Sequence, residues 1–598
     1  MRPEAGRSQA EAGTGRGETG AALLFGAAAA FVAGVDLVRW VRPALLVDPE
    51  PAWALARLLL AVLVIAGTAG AGVLATALFR SLARRYGQAL SLAAFPARPA
   101  AIAAIAAAAV VLGAAARFAE LSTSPPSLWI DDLTLIAPAL DLEGKPSDFR
   151  DAIRPAPYGV AKPYGSVGVF YLELYRLALR AFGTTIFGVR FLSAAAGVLS
   201  LLTALALGRA LLPAGGGALA ALVLAGLRWH LLMSRWGWNA IVLAPIADLA
   251  ALLLLSARRR KSAGLAALAG AVAGIGAHVY LAAWIVAVGL VLLAAWPREG
   301  TVGFRPSIAR PLLFAAGFAL AAAPLFLLRE GREAPYFARP VDHSAAAEMR
   351  YARSAMPLFA AAADSLVAPW LKEDPYRNHD LPGKSRLGWI LGPPVALVLA
   401  RSLLRPREPL SAYLLCQGCA AFAASVAGGH AGVPNGYRFA YLSDVAAVAA
   451  AGGVLCILGL LPASSRHTAA IAAVGFLAVS GALSARDVLM DWPARRDTFD
   501  AFHGQDTLLA RTALRWERYG RVEISPGLGH SPLTIRAVRN HRLDAGDHGD
   551  GGAAGNLLVR IEPAGAIPET GERVVERVRD AWGRDWARVL ARPLTARH

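Results

Sequence analysis

The chain has 598 residues, of which 56% are hydrophobic and only 17% charged, and its mean hydropathy is +0.47. Because soluble domains carry about 25% charged residues, this composition excludes an ordinary soluble enzyme and indicates a polytopic membrane protein. The formal net charge is +18, from 60 Lys and Arg against 42 Asp and Glu. In so apolar a chain we expect this charge to mark orientation in a lipid bilayer, and we expect no nucleic-acid partner.

Apolar stretches long enough to cross the hydrocarbon core follow one another along the chain. The predicted spans are Ala21–Trp40, Trp53–Phe79, Ala100–Phe118, Phe187–Gly208, Gly215–Leu227, Trp238–Leu255, Ala263–His278, Leu281–Trp296, Pro311–Leu328, Leu387–Leu404, Leu410–Gly428, Tyr437–Leu461 and Thr468–Leu483. The stretch Tyr164–Phe182 is ambiguous, since it carries three charged side chains within its apolar run.

The basic connections decide the ambiguous stretch. Arginine-rich loops lie between many of the predicted spans, as at Arg80–Arg85, Arg258–Lys261 and Arg401–Arg407. They all lie in the cytoplasm, as the positive-inside rule requires, only if Tyr164–Phe182 does not span. We therefore predict an interfacial helix there. About 13 transmembrane helices follow, with the N-terminus inside and the C-terminus outside the plasma membrane.

These assignments divide the chain into three parts. They are an N-terminal tail with two additional spans (1–98), a transmembrane core (99–486) with outer loops at 119–186 and 329–386, and an extracytoplasmic C-terminal domain (487–598). The last part is more polar, with a strand-like segment at Asn556–Ile561 and a helix-like spacing of apolar residues over Glu572–Leu590. This pattern predicts a small α/β domain.

The strongest candidates for catalytic residues lie in Trp129-Ile130-Asp131-Asp132, shortly after the third predicted span. Two adjacent acids at a membrane surface are either solvated or cap a helix, or one of them takes a proton from an acceptor hydroxyl or amine. Two neighbouring acids also suit a divalent cation. By contrast Asp248 and Asp444 fall within predicted spans, and we expect them to be hydrogen-bonded to neighbouring helices.

The motif resembles the acidic pair in the first outer loop of the GT-C membrane glycosyltransferases, in particular the protein O-mannosyltransferase and aminoarabinose transferase-like group. Other segments resemble the same group in order and spacing over Ser124–Leu461. They are Lys162-Pro163-Tyr164, Gly188-Val189-Arg190-Phe191-Leu192-Ser193-Ala194, Trp229-His230, Ser234-Arg235-Trp236-Gly237-Trp238-Asn239, Asn378-His379-Asp380-Leu381-Pro382-Gly383 and Tyr437-Arg438-Phe439. The chain departs from the group at Asp132, where the family has Glu, and at Asn239, near which many relatives have Asp.

The resemblance implies a GT-C fold, a polyprenyl-phosphate sugar as donor, an inverting transfer and no metal requirement. Asp131 is then the catalytic base, and Asp132 positions it or binds the sugar. Cations and a phenol at the outer interface would hold the leaving phosphate, namely Arg235, Arg438, Tyr437, Lys162 and Arg190. Substrate-binding candidates are Trp129, Asn239 and His379.

Several alternatives stay open on the sequence. The acceptor is a glycan, a lipid or a protein, because loops and the tail set acceptor specificity. A multi-span transporter or lipid-carrier flippase also fits a chain with many spans and a few intramembrane polar residues. A glycosyltransferase-like scaffold without activity is the third reading, since Asp132 and Asn239 depart from the family pattern.

Overall fold

A computed structural model describes residues 90–129, 132, 169–297, 308–327, 345–354, 356–371, 377, 380–428, 436–528, 534, 538 and 557–593. The predicted spans Ala21–Trp40 and Trp53–Phe79 lie outside the described residues. So do the site candidates Asp131, Lys162 and His379, together with the side chain of Tyr437.

Alanine- and leucine-rich segments form helices throughout the core. In chain order they are α1 (Pro99–Phe118), α2 (Val169–Phe182), α3 (Ile186–Leu211), α4 (Gly216–Gly226), α5 (Arg228–Ser234), α6 (Leu243–Arg260), α7 (Ala263–Val279), α8 (Ala283–Ala295), α9 (Ala309–Ala322), α10 (Pro324–Leu327), α11 (Ala345–Ala352), α12 (Met356–Leu371), α13 (Gly388–Leu404), α14 (Pro409–Ala427), α15 (Leu442–Leu460) and α16 (Ala463–Arg486). Side-chain caps mark some starts, as where Thr185 accepts a hydrogen bond from the amide of Gly188 at α3.

Among the described helices, six are long and apolar enough to cross a membrane, or seven if α4 and α5 form one span that bends by 64°. Each predicted span from Ala100–Phe118 onward falls on a helix or on a helix with its neighbouring turn. The prediction of a helical, polytopic membrane protein is confirmed. Two helices of the predicted loop 329–386, α11 and α12, were not expected from the sequence.

The helix α2 covers most of the ambiguous stretch and is amphipathic. Tyr171, Leu172, Tyr175 and Leu179 are buried on one face, while Leu177 on another face is 54% exposed. The charged side chains Glu173 and Arg176 form an ion pair with a nitrogen–oxygen distance of 2.5 Å along the helix. This arrangement is typical of a helix that lies along a surface and buries one side.

One end of the helical bundle is basic, and we call it the basic end. Arg258 and Arg259, at the end of α6, donate hydrogen bonds to the carbonyls of Leu293 and Ala210 respectively. The indole nitrogen of Trp296 donates to Pro406 over 2.7 Å. The described arginine-rich connections at Arg258–Lys261 and Arg401–Arg407 thus lie at the same end of the bundle.

The opposite end carries the C-terminal domain, and we call it the domain end. There Ser124, after α1, donates a hydrogen bond to the carbonyl of Val488 over 3.3 Å, and Thr507 donates to Ser127 over 2.9 Å. The loop after α1 is therefore fixed between the bundle and the C-terminal domain.

In its described residues, the C-terminal domain combines the helices α17 (Arg496–Ala501) and α18 (Gly504–Glu517) with a four-stranded sheet. The strands are β1 (Gly520–Ile524), β2 (Leu557–Pro563), β3 (Arg573–Arg579) and β4 (Asp585–Pro593). The strand order is β1-β2-β4-β3, with β1 and β2 parallel and the other pairs antiparallel. The predicted α/β domain is confirmed, and the strand predicted at Asn556–Ile561 falls on β2 over its described residues, from Leu557 onward.

The predicted helix over Glu572–Leu590 is wrong, because this segment forms the hairpin β3–β4. Its valines have β-branched side chains that favour strands. Gly583 adopts a φ of +82° between the two strands, a conformation that suits glycine and breaks a helix. Val578 and Val589 then point into a core against Leu509 of α18.

Candidate functional site

Two buried arginines hold the loop that follows α1. The guanidinium group of Arg190, on α3, donates to the carbonyls of Leu121 and Pro125 over 2.9 Å each and also to that of Ser127. The guanidinium group of Arg235, at the end of α5, donates to the carbonyls of Ala116, Arg117 and Ser124 over 2.8, 3.2 and 3.0 Å. Six main-chain carbonyls between residues 116 and 127 are thus fixed by two side chains, which we call the arginine clamp.

Both members of the clamp are fully buried. Burial lowers the pKa of Arg235 to about 10, and the negative charge of Glu120 acts in the opposite direction. Since this pKa stays well above neutrality, Arg235 keeps its charge and its full set of donors at pH 7. The sequence predicted both arginines as phosphate ligands. In the structure their guanidinium groups instead donate hydrogen bonds to main-chain carbonyls.

Asp132 lies directly after the clamped loop and is fully buried. Its carboxylate accepts a hydrogen bond from the amide of Trp129 over 3.0 Å, and its own amide donates to the carbonyl of Trp129, also over 3.0 Å. A Cβ added at Gly237 would lie 3.3 Å from the carboxyl carbon of Asp132 and 2.9 Å from a methyl group of Val189. The absence of a side chain at Gly237 therefore leaves room for the Asp132 carboxylate and for Val189 of α3.

Two tyrosines of α2 lie near Asp132. The rings of Tyr171 and Tyr175 are fully buried and stacked, with their centroids 6.0 Å apart. Burial raises the pKa of both hydroxyls, and the charge of Asp132 raises both further. The two phenols therefore stay protonated, and the buried carboxylate of Asp132, which accepts from the Trp129 amide, suits a positioning role.

Aromatic side chains from both parts of the chain meet beside the acidic motif. The ring centroid of Trp129 lies 6.1 Å from that of Trp236 and 6.2 Å from that of Phe502 in the C-terminal domain. His503 follows at 6.4 Å from Trp129. Phe502 and His503 could not be predicted from the sequence, because they lie more than 360 residues further along the chain. Trp129 is only partly buried, so part of its ring surface stays accessible, as stacking on a sugar requires.

A second group of polar residues lies beside the 3₁₀ turn Gly436–Phe439, which carries the partly buried Arg438. The indole nitrogen of Trp229 donates to the carbonyl of Gly436 over 3.1 Å. The guanidinium carbon of Arg386 lies 5.6 Å from the ring centroid of Trp229. Arg386, which no sequence motif marked, thus joins the predicted phosphate ligand Arg438 at the domain end.

Two more cations lie at the same end, paired with acids. Arg228 is 3.5 Å from a carboxylate oxygen of Asp380 and 3.8 Å from one of Asp487, and the ammonium of Lys384 lies 2.5 Å from Asp487. Asp487 precedes Val488, whose carbonyl accepts a hydrogen bond from Ser124 in the loop held by the arginine clamp. The basic group and the acidic motif are therefore neighbours at the domain end.

Asn239, the remaining described candidate, is almost fully buried. Its amide nitrogen donates to the carbonyl of Val279 over 2.5 Å, at the end of α7. This bond ties the 3₁₀ turn before α6 to α7 and uses the amide for packing. A sugar-binding role for Asn239 stays a prediction.

A series of buried polar side chains lies within the helical bundle. Arg117 lies 2.7 Å from a ring nitrogen of His230, whose other nitrogen is 3.4 Å from a carboxylate oxygen of Asp444. Asp248 accepts a hydrogen bond from Thr203 over 2.9 Å. The two intramembrane acids thus have hydrogen-bonding neighbours on other helices, as expected from their position.

Within the described residues, no group of three or more His, Cys, Asp or Glu side chains could hold a metal ion. The divalent cation considered for Asp131 and Asp132 stays a prediction. Asp132 offers little to such an ion, because one carboxylate oxygen already accepts from the Trp129 amide within a buried setting.

No protein-family model and no curated protein matches the chain. Among solved structures, it is similar to ArnT from Cupriavidus metallidurans bound to undecaprenyl phosphate, with 15% identity, a TM-score of 0.45 and coverage of 84% of this chain and 99% of that one. It is also similar to the Archaeoglobus fulgidus oligosaccharyltransferase tethered with an acceptor peptide, with 16% identity, a TM-score of 0.41 and coverage of 70% of this chain. In the latter comparison the chain spans 57% of the solved protein's length. Both likenesses are distant.

Proposed function

We propose that the chain is a membrane glycosyltransferase of GT-C type that moves a sugar from a polyprenyl phosphate to an extracytoplasmic acceptor. The observation that carries the proposal is the arginine clamp, which fixes the main chain immediately before the acidic motif. A carboxylate that acts as a base must be held within about 0.5 Å of its productive position, which requires this kind of rigid support. The resemblance of Trp129-Ile130-Asp131-Asp132 to the family motif supplies the reaction type.

In the proposed reaction Asp131 accepts the proton of an acceptor hydroxyl or amine. The freed electron pair attacks the anomeric carbon of the sugar and forms the new bond. The bond from that carbon to the phosphate oxygen breaks, and polyprenyl phosphate leaves on the opposite face. The configuration at the anomeric carbon is therefore inverted.

The departing phosphate needs fixed positive charge. Arg438 and the neighbouring Arg386 supply it in our proposal, with Lys162 and Tyr437 as further candidates from the resemblance. Arg190 and Arg235 act instead through the loop that they hold, so we assign them as positioning residues. Trp129 and His379 are the candidates that contact the sugar.

The domain end is extracytoplasmic in this proposal, because the described arginine-rich connections at Arg258–Lys261 and Arg401–Arg407 lie at the basic end and favour the cytoplasm. A single cysteine at Arg259 should then be blocked only by a reagent that reaches the cytoplasm, and one at Arg518 by an impermeant reagent added outside. Cys416, Cys419 and Cys456 are replaced by serine first. Labelling of both positions from the same side would contradict the orientation.

Transfer of label from a panel of radiolabelled polyprenyl-phosphate sugars tests the function. Purified protein in lipid nanodiscs should consume one donor of the panel in the presence of an envelope extract that supplies acceptors. The anomeric configuration of the product, measured by NMR, should be opposite to that of the donor. If no donor of a panel that covers the common sugars is consumed, the transporter and scaffold readings replace the transferase.

A further inference from the structure

A cavity of about 640 Å³ lies between the clamped loop and the C-terminal domain. Its wall includes Ser122 and Thr123 from the loop and Ile186 at the start of α3. The other side of the wall is formed by α18 and β3. The volume is within the range of small-ligand sites, which hold a disaccharide or a lipid headgroup.

Arginines dominate the charge of this cavity. Four of them line it, Arg511 and Arg515 from α18 and Arg577 and Arg579 from β3, with Glu576 as the acid among the lining residues. Arg511 and Arg515 are one helical turn apart and therefore share a face of α18. Their planar guanidinium groups suit bidentate binding of phosphate.

Part of this positive charge is already balanced. Glu576 accepts a hydrogen bond from Arg515 over 2.5 Å and one from the indole of Trp516 over 2.7 Å. Asp585 accepts from Arg579 over 2.5 Å and lies 3.8 Å from Arg577. Two carboxylates against four arginines leave two positive charges, which matches the charge of a phosphate dianion.

Arg511 is a cavity arginine whose positive charge is not balanced by any described carboxylate. Its side chain is exposed to the cavity and makes no hydrogen bond or ion pair with any described residue. The buried hydroxyl of Thr512 lies beside it on the wall, and apolar side chains such as Leu508 and Val578 complete the lining. A charged centre with an apolar surround is the pattern of a site for a sugar phosphate or a phospholipid headgroup.

We infer that this cavity is a binding site for a phosphate-bearing ligand, held by Arg511 and Arg577. The site is separate from the basic group around Arg438, which belongs to the proposed donor side. Its wall at Ser122 and Thr123 continues along the chain into the loop that leads to Asp132. A ligand bound there lies on an approach to the proposed reaction centre, as an acceptor would.

Isothermal titration of inorganic pyrophosphate into the full chain tests the site without any need for transfer activity. In phosphatidylcholine nanodiscs at low salt we expect saturable binding, which weakens as salt screens the arginines. The double variant Arg511→Gln/Arg577→Gln should weaken binding at least tenfold. The matched control Arg573→Gln changes an exposed arginine of β3 outside the cavity and should stay within twofold of the wild type.

A second control, Arg521→Gln, changes an exposed arginine of β1 outside the cavity and should leave pyrophosphate binding unchanged. Nanodiscs that contain phosphatidylglycerol identify the source of the phosphate. If this lipid competes with pyrophosphate in the wild type, the ligand is a lipid headgroup, and if it does not, the ligand is a soluble sugar phosphate. The inference is overturned if the wild type does not bind pyrophosphate, or if Arg573→Gln or Arg521→Gln loses as much affinity as the double variant.

Discussion

Replacing Asp131 by asparagine is expected to slow sugar transfer by a factor of about 10² to 10⁴, the contribution of a positioned general base. Asparagine has nearly the same shape as aspartate but cannot accept the proton of the acceptor. The turnover number with the donor identified from the panel is the measurement. Protein yield and the unfolding midpoint should stay unchanged, because the substitution removes a charge without altering side-chain volume.

Asp132→Asn is the matched control. Asp132 is buried and its carboxylate accepts from the amide of Trp129, and the amide oxygen of asparagine can accept the same bond. Replacing a charged acceptor by a neutral one in this bond costs about 1 kcal/mol, a factor of about five, so turnover should fall by much less than in Asp131→Asn. Normal turnover in Asp131→Asn would end its assignment as the base, and inactivity confined to Asp132→Asn would exchange the two roles.

The helical core could be predicted from the sequence because each apolar run is local. The spans Phe187–Gly208 and Leu410–Gly428 fall on α3 and α14 with only small differences in their ends. The sharp bend between α4 and α5 was not predicted, since no proline marks it. It occurs at Leu227, where the chain leaves helical geometry with a ψ of 108°.

The role of the buried arginines could not be predicted, because their partners are main-chain carbonyls far along the chain. Arg235 lies 111 residues from Ser124, whose carbonyl it binds. An arginine near a predicted span end suggests an interfacial charge, and only the folded loop shows where its donors point. The same holds for the cavity, whose walls at Ser122 and Arg511 meet only through tertiary packing.

The C-terminal hairpin shows how a short apolar pattern can mislead. Over Glu572–Leu590 the valines and tryptophans match a helical period, yet the segment forms β3 and β4. Strand pairing with β2 supplies a partner for β4 along seven residue pairs. Such pairing is non-local, so it overrides a weak local preference that the sequence alone expresses.

Replacing Arg190 by methionine is the second large change that we expect. The side-chain volume is roughly kept, but the carbonyls of Leu121, Pro125 and Ser127 lose their donor inside the protein. Each buried acceptor left without a partner costs about 1–3 kcal/mol. We expect a lower unfolding midpoint and a turnover number reduced by about a hundredfold or more, because the loop before the acidic motif loses its support.

The division between turnover number and donor KM distinguishes positioning from phosphate binding. A positioning residue lowers the turnover number and leaves the donor KM nearly unchanged, since it does not touch the donor. Arg438→Ala is the comparison, because loss of a phosphate contact should raise the donor KM about tenfold. Arg190→Lys should recover only part of the activity, since one ammonium cannot span three carbonyls as a planar guanidinium does. A raised donor KM in Arg190→Met, with an unchanged unfolding midpoint, would instead make Arg190 a phosphate ligand, as its sequence position predicted.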